Sequence, residues 1–174
     1  MVAAMYVFLI LAFVTAQRII ELVYSHRNAT MLLAKGGYEV GRAHYILMVL
    51  LHAAWLAALW WYAWDRPVYW SMIVVYLLLQ VARAWMLMAL GPRWTMRIIV
   101  TPDEPVEASL FTRFLRHPNY LVLALEILVL PLAFGLWWLA LLFTLANAGM
   151  IYWRLRIEDE TIETPTSRGS VAEL

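Results

Sequence analysis

Long apolar runs separated by short polar segments set the pattern of this chain. Residues 2–24 are apolar until Gln17, Arg18 and Glu21 near the end of the run. Ser25–Arg42 is polar and basic and is interrupted by Gly36-Gly37, which predicts a loop with a short interfacial helix. A second apolar run covers 44–64. Asp65-Arg66-Pro67 closes it, because proline and two charges cannot continue a lipid-facing helix. A third covers 68–90 and stops at Gly91-Pro92, and residues 93–116 form the longest non-apolar stretch. The run from Asn119 to Trp153 is too long for one membrane span of about 20 residues. Pro131 to Gly135 therefore divides it into a hairpin, with spans at 119–133 and 135–153. The tail from Arg154 is charged, then rich in Pro, Ser, Thr and Gly, and disorder is expected over 161–174. The pattern predicts one all-α domain, a polytopic membrane protein of about five transmembrane helices.

Composition agrees. The 174 residues are 64% hydrophobic and 14% charged, against roughly a quarter charged for a soluble domain. Cysteine is absent, which excludes disulfides and thiolate chemistry. The four histidines show no zinc-ligand spacing, so no metal site is expected. A net charge of +1 argues against a nucleic-acid partner, and no Gly-rich phosphate loop or nucleophile elbow is present. No Lys or Arg precedes the first apolar run, so it lacks the basic region of a signal peptide and is expected to be a retained helix.

Basic residues set the expected orientation. Arg18, Arg27, Lys35 and Arg42 flank the first connection, Arg93, Arg97, Arg113 and Arg116 the third, and Arg154, Arg156 and Arg168 the tail. Only Arg66 lies on the other side. The amino terminus is expected outside and the carboxyl terminus in the cytosol, at the inner membrane of a bacterium. Trp60, Trp61, Trp64, Tyr69 and Trp70 cluster at the outer end, as an interfacial aromatic belt would.

Two charged clusters bracket the final hairpin: Arg116-His117-Pro118-Asn119-Tyr120 before it, and Arg154, Arg156, Glu158, Asp159 and Glu160 after it. A tight antiparallel hairpin brings its open ends together, so these clusters are expected to be neighbours. Pro118 suits the first turn of a helix, whose free N–H groups favour a carboxylate. Arg156 and Glu160, four apart, share a helix face. Such a site suits a zwitterionic ligand, or it is a basic flank whose Arg and Glu residues pair with each other. Deeper in the chain, Arg83 and Glu126 form a bundle-holding pair, or one of them lines an acceptor cavity. His52 and Asn147 read as helix-to-helix hydrogen-bonding partners.

The run Arg116-His117-Pro118-Asn119-Tyr120, a hydrophobic hairpin, then Arg156-Ile157-Glu158-Asp159-Glu160 resembles the isoprenylcysteine carboxyl methyltransferase family. The whole chain is similar to short bacterial members that methylate alkylpyrones. Gln17-Arg18 with Glu21-Leu22, Arg27-Asn28, His44-Tyr45, Leu50-Leu51-His52 and Ala124-Leu125-Glu126 extend the likeness. The resemblance implies S-adenosylmethionine as cofactor and a pocket on the cytosolic side lined by His117, Pro118, Asn119 and Tyr120. It implies that Arg156 lies beside the acceptor and Glu160 holds the cofactor, with Arg116 a further catalytic candidate. Where relatives often carry Gly-Pro-Tyr, this chain has Leu110-Phe111-Thr112. The chain also ends soon after Glu160, which favours a small lipophilic acceptor over a protein one.

The resemblance thus leads to methyl transfer onto a carboxylate or acidic enol oxygen of a lipophilic acceptor such as an alkylpyrone or prenylcysteine. An already anionic acceptor needs no general base, in keeping with the absence of an obvious catalytic dyad. Two other functions remain open on sequence. Membrane sterol reductases using NADPH share an Arg-His-Pro-Asn-Tyr segment, although Leu121-Val122-Leu123 here departs from their x-Gly-Glu continuation. A non-enzymatic membrane subunit of the same fold is the third.

Overall fold

The computed structural model describes the backbone of residues 2–101 and 106–163, and the side chains of 3–101 and 118–160. Five long helices dominate: α1 (Val2–Ala34), α2 (Arg42–Tyr62), α3 (Trp70–Leu90), α4 (Val106–Leu132) and α5 (Trp137–Glu163). Strands β1 (Tyr38–Val40) and β2 (Ile98–Val100) pair antiparallel, with Glu39 opposite Ile99. The all-α membrane reading holds. Ala3–Ala34, Arg42–Tyr62 and Trp70–Arg93 are long and apolar enough to cross a membrane, and Pro118–Leu132 is a shorter apolar segment.

The small sheet was not expected from the sequence. It ties the α1–α2 connection to the segment after α3, and the Arg97–Glu39 ion pair at 3.2 Å reinforces it. Three boundaries also differ from expectation. Helix α1 continues through Ser25–Ala34, where a loop was predicted, because polar side chains end an apolar run without breaking a helix. Gly36, at φ +86°, marks where the chain turns away. At 33 residues α1 is about 50 Å long, well beyond a hydrocarbon core of about 30 Å, so its last turns stand clear of the lipid. Helix α4 starts at Val106, so Pro118 lies inside it rather than at its first turn, and the argument from a free helix start at 118 falls. Helix α5 runs on through the charged cluster to Glu163 instead of ending near 153. The expected disorder of 161–174 lies largely outside the described residues.

The bundle is solid at one end. Val7, Leu11 and Val14 of α1 pack with Trp55 and Leu59 of α2, Ile73 and Tyr76 of α3, Ile127 and Leu130 of α4, and Leu139 of α5. The turn between α4 and α5 closes this end. Gly135 takes φ +69° there, and a Cβ on it would come within 3.3 Å of the Tyr69 ring. The Tyr69 N–H donates to the Ala133 carbonyl at 2.8 Å, joining the α2–α3 and α4–α5 connections. Edge-to-face pairs Tyr6–Trp70, Phe8–Trp60 and Tyr62–Trp138 ring the same end. Large apolar side chains such as Ile20, Val81, Met88 and Leu145 are exposed around the bundle, an arrangement that water penalises and lipid accepts.

Between this solid end and the basic end lies a charged cluster. Arg83 grips Glu21 with two hydrogen bonds, Nε to Oε1 at 2.6 Å and Nη2 to Oε2 at 2.8 Å. Arg18 donates to Glu21 at 2.9 Å and to Glu126, while Arg83 Nη1 lies 3.4 Å from Glu126. Gln17 bridges Glu21 and Gln80, and Gln80 donates to Glu126 at 3.1 Å. Two cations meet two anions, and α1, α3 and α4 are joined through charge rather than apolar packing alone.

Two predictions follow from this architecture. Reporter fusions after Ala63 and after Glu173 should report opposite membrane sides; the same side for both would remove the five-crossing topology. Glu126→Ala leaves two buried guanidiniums, Arg18 and Arg83, sharing the single carboxylate of Glu21, and should destabilise the protein by about 3–5 kcal/mol. Thermal unfolding in detergent measures this, and an unchanged midpoint would mean the cluster holds nothing together.

Candidate active site

The half of the bundle towards the basic end is hollow. A cavity of about 200 Å³ runs between the helices. Helix α2 lines it with His44, Met48, Val49, His52, Ala53 and Leu56, which recur on one face of the helix. Helix α1 contributes Thr15, Arg18, Ile19 and Leu22, and α5 contributes Asn147, Met150, Ile151 and Arg154. Asn119, Tyr120 and Leu123 come from α4 and Arg83 from α3, while Trp94, Thr95 and Met96 lie at the basic end. Ile19 is 57% exposed and Leu22 36% although both line the cavity, so it opens sideways at α1.

The overlong α1 explains how the 94–96 segment is held. Asn28 Nδ2 donates to the Trp94 carbonyl at 2.8 Å and the Gly91 carbonyl at 3.3 Å. The Met96 N–H donates to Ser25 Oγ at 2.8 Å, and Tyr24 stacks on Trp94. The polar turns that read as a loop in sequence are the helical arm that fixes this wall.

Helices α4 and α5 bring the Tyr120 end of the first cluster against Arg154 and Glu158 of the second. Tyr120 donates its hydroxyl to Glu158 Oε1 at 2.7 Å, and Arg154 Nε donates to the same hydroxyl at 2.8 Å and to Glu158 at 3.1 Å. Arg154 Nη1 also donates to the Met96 carbonyl at 2.6 Å. Burial works against the Arg154 charge, but Tyr120 and Glu158 outweigh it and hold the guanidinium above its ordinary pKa. His44 Nε2 donates to the Met150 carbonyl at 2.9 Å, and its ring meets Trp153 edge to face.

The expected site residues divide. Asn119 and Tyr120 line the cavity and are buried. Pro118, next to them, is exposed. Arg156 and Glu160 are exposed and are not among the lining residues; Arg156 instead donates to the Tyr152 hydroxyl at 3.0 and 2.8 Å. The physical reason is helical register. Arg154 and Glu158 repeat the same four-residue spacing, and two residues back along a helix is a rotation of about 200°, from the outer face to the cavity. The side chains of Arg116 and His117, like Leu110-Phe111-Thr112, lie outside the described residues.

Sequence reasoning missed Arg18, the 94–96 wall and Arg154, held by Glu158, as parts of the cavity. The signal for Arg154 was present, since Arg-x-x-x-Glu occurs twice in overlapping register. No sequence feature marked 94–96. Arg83 pairs with Glu21 and Glu126, as the bundle-holding reading expected, and it also lines the cavity. His52 bonds the Met48 carbonyl of its own helix rather than a neighbouring helix. Asn147 Nδ2 has no hydrogen-bond partner among the described residues.

Residues 72–164, more than half of the chain, match the family model of isoprenylcysteine carboxyl methyltransferases. Among curated proteins, uncharacterized protein YpbQ of Bacillus subtilis (strain 168) is 27% identical over 168 residues, covering 89% of this chain and 95% of that protein. No solved structure matches. The match spans α3, α4 and α5, which carry Arg83, Asn119, Tyr120 and Arg154 of the cavity wall. This chain therefore belongs to the isoprenylcysteine carboxyl methyltransferase family of membrane methyltransferases.

Proposed function

We propose that the protein is an S-adenosylmethionine-dependent methyltransferase that methylates an oxygen of a lipophilic small molecule, with an alkylpyrone as the leading acceptor. The observation that carries this reading is the cavity itself. It is polar at the basic end, where Asn119, Tyr120 and Arg154 stand, and it opens to the lipid side at Ile19 and Leu22. A polar cofactor and an apolar acceptor could thus meet without either crossing the other's solvent. We place the basic end at the cytosol, as the distribution of Arg and Lys requires.

Members of this family generally use S-adenosylmethionine, which supplies an electrophilic methyl group on a sulfonium. The residues present fit it. Asn119 Oδ1 is a buried acceptor with no hydrogen-bond partner among the described residues, suited to an ammonium, amino or ribose hydroxyl group. Tyr120 and Arg154, locked by Glu158 and the Met96 carbonyl, give that end a fixed polar wall. Trp94, Met96, Leu123 and Met150 exclude water around it. Methyl transfer from a sulfonium depends on alignment and a dry path more than on acid–base chemistry.

Arg156 and Glu160, the positions the resemblance points to, face outward. We assign their part at the basic end to Arg154, which lines the cavity beside the cofactor's polar wall, and to Glu158, which holds Arg154 in place.

Calorimetry in detergent should show saturable S-adenosylhomocysteine binding and none of NADPH. Asn119→Ala should weaken that binding roughly ten-fold through one lost hydrogen bond. Saturable NADPH binding in its place would turn the reading to a reductase. The register assignment has its own test. Lysine keeps the charge but loses the planar fork, so labelled methyl transfer should fall further in Arg154→Lys than in Arg156→Lys. The reverse order would return the role to Arg156.

A further inference from the structure

The middle of the cavity holds polar atoms that the fold leaves unanswered. Among the described residues, Arg18 Nε, Arg83 Nη1 and His52 Nε2 are buried without a hydrogen-bond partner, and all three residues line the cavity. Arg83 Nη1 has only the 3.4 Å ion pair to Glu126. Buried polar atoms without partners cost about 1–3 kcal/mol each and are few in native proteins. With Asn119 Oδ1 and Asn147 Nδ2, five such atoms belong to residues lining this one cavity, and the three at Arg18, Arg83 and His52 come from three different helices. The Arg83 side chain is 3% exposed, so water does not reach it from outside the bundle.

The donor and acceptor roles are fixed by chemistry. Arginine nitrogens donate and do not accept. His52 Nδ1 is 2.7 Å from the Met48 carbonyl, and a carbonyl accepts, so Nδ1 carries the hydrogen. In the neutral ring Nε2 is then a bare lone pair. Arg18 and Arg83 already balance Glu21 and Glu126, so a charge on the ring would have no counter-charge. The site offers two donors and one acceptor, and Asn147 adds an unpartnered amide donor to the same cavity.

Its depth separates it from the polar wall described above. His52 lies eight residues beyond His44 on α2, about 12 Å further into the bundle. Arg18 is one residue from Ile19, where the cavity opens sideways. A ligand head in this site would have its apolar tail leaving towards lipid.

We propose that His52, Arg18 and Arg83 form the head-group site for the acceptor, and that it takes an amphiphile bearing an O–H with a carbonyl oxygen close by. The O–H donates to His52 Nε2, and the oxygens accept from Arg18 Nε and Arg83 Nη1. Carboxylic acids and their vinylogous counterparts, enols conjugated to a carbonyl, share this chemistry. The inference rests on the methyl-transfer reading for the word acceptor, but the recognition itself does not. When the head is methylated its O–H proton passes to His52 Nε2, in place of the already anionic acceptor expected from the sequence; the methylated head has no O–H left for His52 to read, so the same site binds the free head better. Product release is thereby built into the recognition.

The test uses purified full-length protein in lipid nanodiscs. Four probes are titrated: a long-chain 4-hydroxy-2-pyrone, its 4-O-methyl ether, a fatty acid and its methyl ester. Wild type should bind the free form of at least one pair roughly ten-fold tighter than the methylated form. Which pair shows it separates the enol from the carboxylic acid. His52→Phe should erase the preference while S-adenosylhomocysteine binding persists, and His52→Gln, which supplies an acceptor again, should restore part of it. Equal binding of free and methylated heads by wild type overturns the proposal, as does a preference that survives in His52→Phe. Should His52→Phe fail to fold, the wild-type comparison still decides. Loss of S-adenosylhomocysteine binding in wild type would instead remove the methyltransferase reading and leave the head-group preference as a separate result.

Discussion

Everything in this fold is arranged around two arginines and two glutamates that must not be left unpaired away from water. An isolated ion in such surroundings costs several kcal/mol even after relaxation, and only good geometry offsets it. Arg83 meets Glu21 in a two-point grip, Arg18 spans Glu21 and Glu126, and Gln17 and Gln80 fill remaining oxygens. Because α1, α3 and α4 each supply part of the balance, none can slide or rotate without stranding a charge. The apolar core at the end closed by the α4–α5 turn adds cohesion, but apolar packing against lipid-like neighbours does not by itself set register.

The cluster also marks the boundary between the packed and hollow halves of the bundle. On its outer side large side chains close the space around Trp55, Tyr76 and Phe134. On its other side Met48, Leu123, Met150 and Ile151 line a chamber they do not fill. The charged pairs thus serve as the floor of the cavity as well as the clasp of the bundle, and Arg18 and Arg83 belong to both. A structural cluster that keeps polar atoms unanswered on one face is what a binding site looks like before its ligand arrives.

The basic end is built by a second principle, the capture of irregular chain by regular chain. Helix α1 outlasts the lipid, and its last turns hold 94–96 through Asn28 and Ser25, while Arg154 holds Met96 from the opposite side. The β1–β2 pair ties the neighbouring connections. The polar wall at Tyr120, Arg154 and Glu158 is therefore set in a frame of backbone hydrogen bonds, outside the apolar bundle, where water would otherwise compete with them.

By itself the sequence determined the membrane character, the long helices and their approximate centres, and the closeness of the two charged clusters. Each depends on the local density of apolar residues or on the geometry of a hairpin. The relatedness to membrane methyltransferases was legible too, in Arg116-His117-Pro118-Asn119-Tyr120 and the acidic run after the hairpin. Helix ends were not, because Ser25–Ala34 is polar and is tied into the fold through Ser25 and Asn28, and α4 begins at Val106, ahead of the apolar run that follows Pro118. Only the tertiary structure decided which of two overlapping Arg-x-x-x-Glu runs faces inward. The spacing is identical in both, and the choice depends on the rotation of α5 against α4, fixed by Tyr120 meeting Arg154 and Glu158. Tertiary structure likewise gave His52 its meaning. Its bond to Met48 spends one ring nitrogen locally, and the cavity isolates the other, neither of which a linear sequence can express.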